Sequence, residues 1–186
     1  MPNISKRIDQ LRQTVTEAAL NYEIWWIYRG PETSVKYADT MNRYPILFRT
    51  AINAHFVAML VPLYRLFETR KDSHNIPQLL KQLRKSETMP DTKLKAIEKR
   101  YQGLRPTWLK IATLRNEAFG HRPINSELSD VFRKASITPK DIRVLIDDTQ
   151  LFLNEISREQ NNSYLAFDMN SGEDAINMLE DLRGIA

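Results

Sequence analysis

The chain has 186 residues, of which 42% are hydrophobic and 27% are charged, proportions typical of one globular domain rather than of a disordered tail. It contains no cysteine, which excludes a disulfide framework and a thiolate zinc site, and its three histidines are too scattered to suggest a metal centre. The 27 basic and 23 acidic residues give a formal net charge of +4, which is compatible with an anionic partner such as RNA but carries little weight alone.

The N-terminal residues MPNISKRIDQ carry charges where a secretory signal would need apolar residues, so we expect a cytoplasmic protein. The most apolar stretch, residues 51–63, is interrupted by Asn53, His55 and Pro62, and it is shorter than the roughly 20 residues that span a bilayer. We therefore expect no membrane span, no metal and no other cofactor. No internal repeat or linker divides the chain, which predicts a single domain over residues 1–186.

Apolar residues recur at helical spacing along the chain, which predicts an all-α fold, an antiparallel helical bundle with additional short helices. The first helix is predicted to end near Gly30, and its apolar stripe consists of Ile4, Ile8, Leu11, Val15, Ala18, Tyr22 and Trp25. A shorter helix is predicted over residues 32–43. Pro45 then opens a long apolar helix that Pro62 should kink, and Pro77 starts a short helix after the polar run ETRKDSHN.

The second half of the chain is predicted to contain a further long helix from Asp91 to Phe119. Asp91 would cap it, and Gly103 and Pro106 would bend or break it. A short helix is predicted over residues 126–135.

Thr138, Pro139 and Asp141 supply the cap, the first-turn proline and the first-turn acid of another long helix. A last short helix is predicted over residues 173–182. The connections between helices are short, as in an antiparallel bundle.

Arg115 stands where the pattern of its helix asks for an aliphatic residue. At about 100° per residue it falls near the middle of the apolar arc that contains Trp108 and Ile111. A guanidinium buried there is costly unless it has an acidic partner or faces an anion. His121 would point about 120° away from Arg115 on a continuous helix. A turn at Gly120 or a second chain related by a two-fold axis would bring the two together.

Arg115, Asn116, the four residues EAFG and His121 resemble the signature of the HEPN superfamily. The preceding segment, LVPLYRLFETRKDSHNIPQLLKQL, resembles the AbiU-type abortive-infection branch, and together the two features cover roughly residues 44–122. The resemblance implies a helical bundle of HEPN type and a metal-independent endoribonuclease that acts as a toxin or phage-defence effector. It also implies a homodimer with the motifs of both chains at the interface, an RNA substrate and an antitoxin protein as a further partner.

The resemblance implies a role for each motif residue. When a ribose 2′-hydroxyl attacks the adjacent phosphate, His121 would exchange protons with the attacking or leaving oxygen. Arg115 would stabilise the added negative charge on the phosphate, and Asn116 would orient the phosphate or the histidine. Family members often add polar residues near this site, which makes four further residues candidates for substrate binding: Glu68, Arg70, Lys71 and Arg122.

Two features of the motif bear on regulation. Some relatives carry a tyrosine two residues after the histidine, which a nucleotidyltransferase antitoxin modifies, whereas this chain has Pro123 there. Regulation by that route is therefore not expected. Glu117 could raise the pKa of His121 or lie in solvent.

Structural interpretations remain open beside the functional one. Arg115 could be salt-bridged within the bundle, and His121 could stabilise a helix end. The fold could serve as a non-catalytic module that binds RNA, nucleotides or a protein, or the stripe that includes Leu11 and Val15 could form a structural dimer.

Other conspicuous residues favour structural roles. We expect His55 to be a hydrogen-bonded core residue and His74 to lie in solvent. The three tryptophans are predicted to pack in the core or at a dimer interface rather than to stack on bases: Trp25, Trp26 and Trp108.

Overall fold

The structure is a computed structural model that describes residues 4–119 and 128–184. These residues form nine α-helices and contain no β-strand, so the prediction of an all-α fold is confirmed. The helices are α1 Ile4–Arg29, α2 Pro31–Lys36, α3 Ala38–Asn42, α4 Pro45–Phe67, α5 Ile76–Ser86, α6 Asp91–Phe119, α7 Leu128–Ala135, α8 Pro139–Asn161 and α9 Ser171–Gly184.

The helices α1 and α4 run antiparallel along the core. The rings of Tyr28 and Phe48 lie 5.3 Å apart at one end, and those of Trp25 and Phe56 lie 5.5 Å apart further along. The helices α1 and α8 are also antiparallel, because Ser5 donates a hydrogen bond to Asn161 whereas the Tyr22 hydroxyl donates to the Pro139 carbonyl.

The helix α6 closes a four-helix arrangement between α4 and α8. Its ring contacts with α4 join Tyr101 to Phe67 and Trp108 to Tyr64, so these two helices are antiparallel. Ion pairs run from Lys93 to Glu159 and from Arg100 to Glu155, so α6 and α8 are antiparallel as well. The predicted antiparallel bundle is therefore present.

The apolar stripe of α1 faces the interior of this bundle. Ile8, Trp25 and the residues between them on the stripe are buried, and Leu11 and Val15 have no exposed surface. Side chains that are covered within their own chain cannot form an interface between two chains. The alternative in which this stripe makes a structural dimer is therefore wrong.

The predicted helix over residues 32–43 is divided at Tyr37. This residue leaves the helical conformation, with φ −110° and ψ 16°, and separates α2 from α3. Its ring is 1% exposed and its hydroxyl donates to Glu180 of α9 at 2.7 Å. The break allows the ring to be buried against α9.

Pro62, Gly103 and Pro106 do not interrupt the helices α4 and α6. α4 continues through Pro62, and α6 continues through Gly103 and Pro106. Gly103 and Pro106 lie on the exposed side of α6, where water can hydrogen-bond the carbonyl that a proline leaves unpaired. Of the two predicted alternatives for α6, a bend or a break at these residues, the break is therefore wrong.

The N-terminal ends of α6 and α8 are capped in different ways. The Pro90 carbonyl accepts the first hydrogen bonds of α6, from Lys93 and Leu94, so Asp91 lies in the first turn rather than at the cap. In α8 the predicted cap is confirmed, because Thr138 and Asp141 exchange hydrogen bonds in a capping box. The bonds from Thr138 hold the pKa of Asp141 below its usual value.

Among the described residues, α4 is the helix that is long and apolar enough to span a membrane, with a mean hydropathy of 1.6 over its most apolar window. About a third of that window, 33%, is buried inside the protein. Core helices can meet the same criteria of length and composition, so the expectation that the chain has no membrane span stays a prediction.

Candidate functional site

Arg115 continues the buried stripe of α6. Leu104, Trp108 and Ile111 are buried on this stripe, and Arg115 follows them in a half-buried position near the C-terminal end of the helix. The arc expected from a period of 3.6 residues is therefore confirmed. The guanidinium is carried by a rigid helix whose inner face is fixed by the core.

Trp108 sets the position of this part of α6 against α4. Its indole N–H donates to the Tyr64 carbonyl at 3.2 Å, and its ring lies 6.0 Å from the Tyr64 ring. That carbonyl belongs to the last turn of α4, where carbonyls lack a partner within their own helix. The bond satisfies one of them and holds Arg115, two turns further along α6, beside α4.

The Arg115 guanidinium lies over the ring of Tyr64. Its Cζ is 4.9 Å from the ring centroid, and its Nη1 donates to Asn116 Oδ1 at 3.0 Å. Within the described part of the chain no carboxylate lies within salt-bridge distance of it, so no salt bridge with a described residue accounts for this arginine. A guanidinium has five N–H donors, and one such bond leaves the others available to an anion.

Glu117 points to a different element. Its carboxylate pairs with Lys134 of α7 at 2.7 Å, and its side chain is 23% exposed. Glu117 therefore neither lies free in solvent nor serves as a partner for Arg115. Its ion pair ties the end of α6 to α7.

The second half of the motif lies outside the described residues. His121 and Arg122 fall there, as do Gly120 and Pro123. Their proposed roles stay predictions, and so does the way in which His121 approaches Arg115.

The other candidate substrate-binding residues lie at and beyond the C-terminal end of α4. Glu68 ends that helix and is 9% exposed, Arg70 and Lys71 are exposed, and two hydrogen bonds of 3.0 and 2.7 Å join Arg70 to Asp72. These bonds raise the pKa of Arg70 and lower that of Asp72. α4 reaches Arg115 through Tyr64, one turn before Glu68. No hydrogen bond, ion pair or cation–π contact joins Arg115 to any of the three in the described structure, so their role stays a prediction.

Tyr64 is a site residue that the sequence reasoning missed. It is half-buried, and it contacts both Trp108 and Arg115. The apolar pattern of α4 does not distinguish it from its neighbours. Recognising it requires the register between α4 and α6, which a single sequence does not contain.

The described histidines have no part in this site. His55 Nδ1 lies 2.8 Å from Asn21 Oδ1 on the side of α4 that faces α1, and partial burial lowers the pKa of His55. His74 is exposed, as predicted. In residues 4–119 and 128–184, no group of three or more histidine and carboxylate side chains could hold a metal ion.

The tryptophans divide into two kinds. Trp25 and Trp108 are buried in the core, whereas Trp26 is 36% exposed and stacks on Tyr22 with 6.3 Å between the ring centroids. Core packing was therefore the right expectation for the first two, and Trp26 lies at the surface.

The comparisons with known proteins bear on the whole chain. The family model of AbiU2, a HEPN family, matches residues 1–178. This range includes Arg115, Asn116 and His121. The comparisons with curated proteins and with solved structures found no match.

Proposed function

The chain belongs to the AbiU2 family of HEPN proteins, related to abortive infection, and on this premise we propose that it is a metal-independent endoribonuclease that acts as a toxin or phage-defence effector. The observation that carries the proposal is that Arg115 is a half-buried residue whose guanidinium lies over Tyr64 with no carboxylate partner among the described residues. Its spare donors suit an anionic ligand, and the phosphate of RNA is such a ligand.

Arg115 acts on the phosphate that reacts. Attack by the ribose 2′-hydroxyl adds negative charge to the phosphate oxygens as five oxygens gather around phosphorus. A planar guanidinium presents parallel N–H donors to two of these oxygens, and partial burial strengthens the interaction. The Tyr64 ring and the Asn116 amide oxygen hold the guanidinium in one orientation, which reduces the reorganisation needed during the reaction.

His121 moves the protons. A histidine near its ordinary pKa can take the proton of the attacking 2′-hydroxyl or return one to the leaving 5′-oxygen. These transfers need no metal. The purified protein is expected to cleave RNA in the presence of EDTA, whereas His121→Ala should leave the RNA intact. Equal cleavage by both proteins would argue for a non-catalytic module of the same fold.

The site is a shared one in a homodimer, with the motif contributed by both chains. A mixture of two inactive variants, Arg115→Ala and His121→Ala, tests this arrangement. If one chain supplies the arginine and the other the histidine, mixed dimers regain one site with both native residues, and part of the activity returns. If both residues of a site come from one chain, the mixture stays inactive.

Toxicity follows from the same chemistry in the cell, and the partner would be an antitoxin protein. Expression of the wild type is expected to arrest growth and degrade cellular RNA, whereas expression of His121→Ala at the same level is not. Growth arrest by both proteins would mean that toxicity does not arise from RNA cleavage at this site.

A further inference from the structure

A cavity of about 450 Å³ lies at the other end of α4 from Tyr64. It is open to solvent and is lined by the last turn of α1, by Ser34 of α2, by α3 and by the first turns of α4. Phe48, Met41 and Ile52 contribute an apolar floor, and Arg29 and Arg49 contribute cationic groups. Its volume falls in the range of about 300–1,000 Å³ that is usual for small-ligand sites.

No acidic residue among the described lining residues neutralises the two arginines of this cavity. The described residues that line it include two arginines and no carboxylate. Both arginines are exposed, and neither has an ion pair with a carboxylate in the described part of the chain. A cavity of this kind favours a ligand that carries negative charge and an apolar portion.

Three other described cavities differ in this respect. Each contains a basic residue that is ion-paired to an acidic residue of the same cavity. The pairs join Arg84 to Glu98, Lys93 to Glu159, Arg100 to Glu155, and Arg143 to Glu23. Four of their basic residues are therefore engaged within the fold, although Lys81 and Arg158 have no ion pair in the described part of the chain. The cavity of Arg29 and Arg49 differs from these three in that no described acidic residue lines it.

We propose that the cavity between α1, α3 and α4 binds one nucleotide unit of the RNA substrate, away from the bond that is cleaved. Arg29 and Arg49 hold its phosphate, because guanidinium forks match phosphate oxygens. The base lies on the apolar floor, and the amides of Asn42 and Asn53, which also line the cavity, can donate to and accept from its edges. The inference rests on the proposed function in taking RNA as the partner.

The distance along α4 sets the length of RNA that can use both sites. Arg49 precedes Tyr64 by 15 positions, which corresponds to roughly 22 Å of helix at about 1.5 Å per residue. A stacked strand advances about 3.4 Å per nucleotide, so about six or seven nucleotides separate the cavity from Arg115. α4 contains no acidic residue that would repel the strand between them. A twelve-nucleotide RNA can therefore reach both sites, whereas a trinucleotide cannot.

The test measures binding in the absence of cleavage. His121→Ala protein is titrated with fluorescent RNAs of twelve and three nucleotides, with and without the further substitutions Arg29→Ala and Arg49→Ala. The matched control carries Lys81→Ala and Lys85→Ala, which remove two exposed charges from α5. Loss of the two arginines is expected to weaken binding of the longer RNA about tenfold or more, with little effect in the control. The trinucleotide, which can occupy only one of the two sites at a time, should bind more weakly than the longer RNA to the protein that keeps both arginines.

Equal affinity of the arginine and lysine variants for the longer RNA would overturn the proposal. A titration with adenosine monophosphate distinguishes an RNA strand from a free nucleotide. If the arginines matter for the mononucleotide but not for the longer RNA, the assignment to RNA is wrong. Equal melting temperatures of the arginine and lysine variants establish that the fold is retained. If the variant with Arg29→Ala and Arg49→Ala melts at a lower temperature, the comparison is repeated with Arg29→Gln and Arg49→Gln.

The outcome is separable from that of the proposed function. Because His121→Ala is not required to cleave, the binding result can be read even if the wild type proves inactive. Conversely, a wild type that cleaves RNA with no dependence on Arg29 or Arg49 overturns only the role of the cavity.

Discussion

The two halves of α6 use basic residues in different ways. In the N-terminal half, Lys93 and Arg100 reach across to Glu159 and Glu155 of α8, each at 2.8 Å. Near the C-terminal end, Arg115 lies over the ring of Tyr64 and has no carboxylate partner among the described residues. The first arrangement joins two helices at their surface, whereas the second leaves hydrogen-bond donors unused beside the core.

The two arrangements differ in how much they contribute to the stability of the fold. An exposed ion pair contributes about 0–1 kcal/mol, so the pairs with α8 add modestly to stability. Arg115 is a half-buried residue that forms no ion pair with a described residue, although the contact of its guanidinium with Tyr64 returns about 0.5–2 kcal/mol. Packing alone would be served as well by leucine at this position, and the proposed phosphate ligand would give the arginine a role that leucine cannot fill.

A change from arginine to lysine at position 115, Arg115→Lys, is expected to lower activity strongly. Lysine keeps the positive charge but lacks the planar fork that binds two phosphate oxygens. We expect the rate of RNA cleavage to fall about 100-fold, at the lower end of the usual loss when one transition-state donor is removed. Single-turnover cleavage of a labelled oligonucleotide measures this. A rate equal to that of the wild type would mean that charge alone is sufficient.

Trp108→Phe tests how firmly α4 holds this half of α6. The substitution removes the indole N–H and leaves the Tyr64 carbonyl without that partner, which should lower the free energy of unfolding by about 1–3 kcal/mol. Urea denaturation measures the loss. Trp26→Phe, at a half-exposed position, serves as the control and should cost less. Equal losses would show that the bond to Tyr64 adds no stability.

Tyr64→Leu removes the ring beneath Arg115 and keeps an apolar side chain. A cation–π contact of about 0.5–2 kcal/mol corresponds to a loss of about 2- to 30-fold in cleavage rate if the contact holds the guanidinium for reaction. Tyr64→Phe keeps the ring and should cleave nearly as fast as the wild type. If phenylalanine and leucine lower the rate equally, the hydroxyl rather than the ring is what matters.

Arg100→Ala should have the smallest effect. It removes one partly exposed ion pair between α6 and α8, so the free energy of unfolding should fall by about 1 kcal/mol or less, and the difference should shrink in 1 M salt. The cleavage rate should stay within about two-fold of the wild type. If the loss of unfolding free energy is as large in 1 M salt, the ion pair of Arg100 with Glu155 is shielded from solvent more than its partial exposure indicates.

The position of Arg115 could be predicted from the sequence, whereas its contacts could not. The helical period fixes the angle at which each side chain leaves the helix axis, so the sequence is enough to predict the buried face of α6. Trp108 and Ile111 lie on that face as predicted, and Arg115 lies on it too. Tyr64 is 51 positions earlier, and its contact with Arg115 depends on the register between two packed helices. The break at Tyr37 has the same origin, since the hydroxyl partner, Glu180, belongs to α9.

Local chemistry explains which helix ends were predicted. The exchange of bonds between Thr138 and Asp141 involves residues three positions apart, so the sequence pattern alone indicates it. The pair of Glu117 with Lys134 crosses from α6 to α7 and could not be inferred that way. His121 and Arg122 lie outside the described residues, and their roles are predictions that follow from the motif.

The most direct test of the account compares Arg115→Ala with Arg100→Ala in one assay of RNA cleavage by purified protein in EDTA. Both variants lose an arginine from the same helix, but Arg100 is ion-paired with Glu155, whereas Arg115 has no carboxylate partner among the described residues. We expect Arg115→Ala to lower the rate by about 100- to 1,000-fold, with an unchanged melting temperature, and Arg100→Ala to keep the rate. Cleavage by Arg115→Ala at the wild-type rate would contradict the proposal that Arg115 acts on the reacting phosphate.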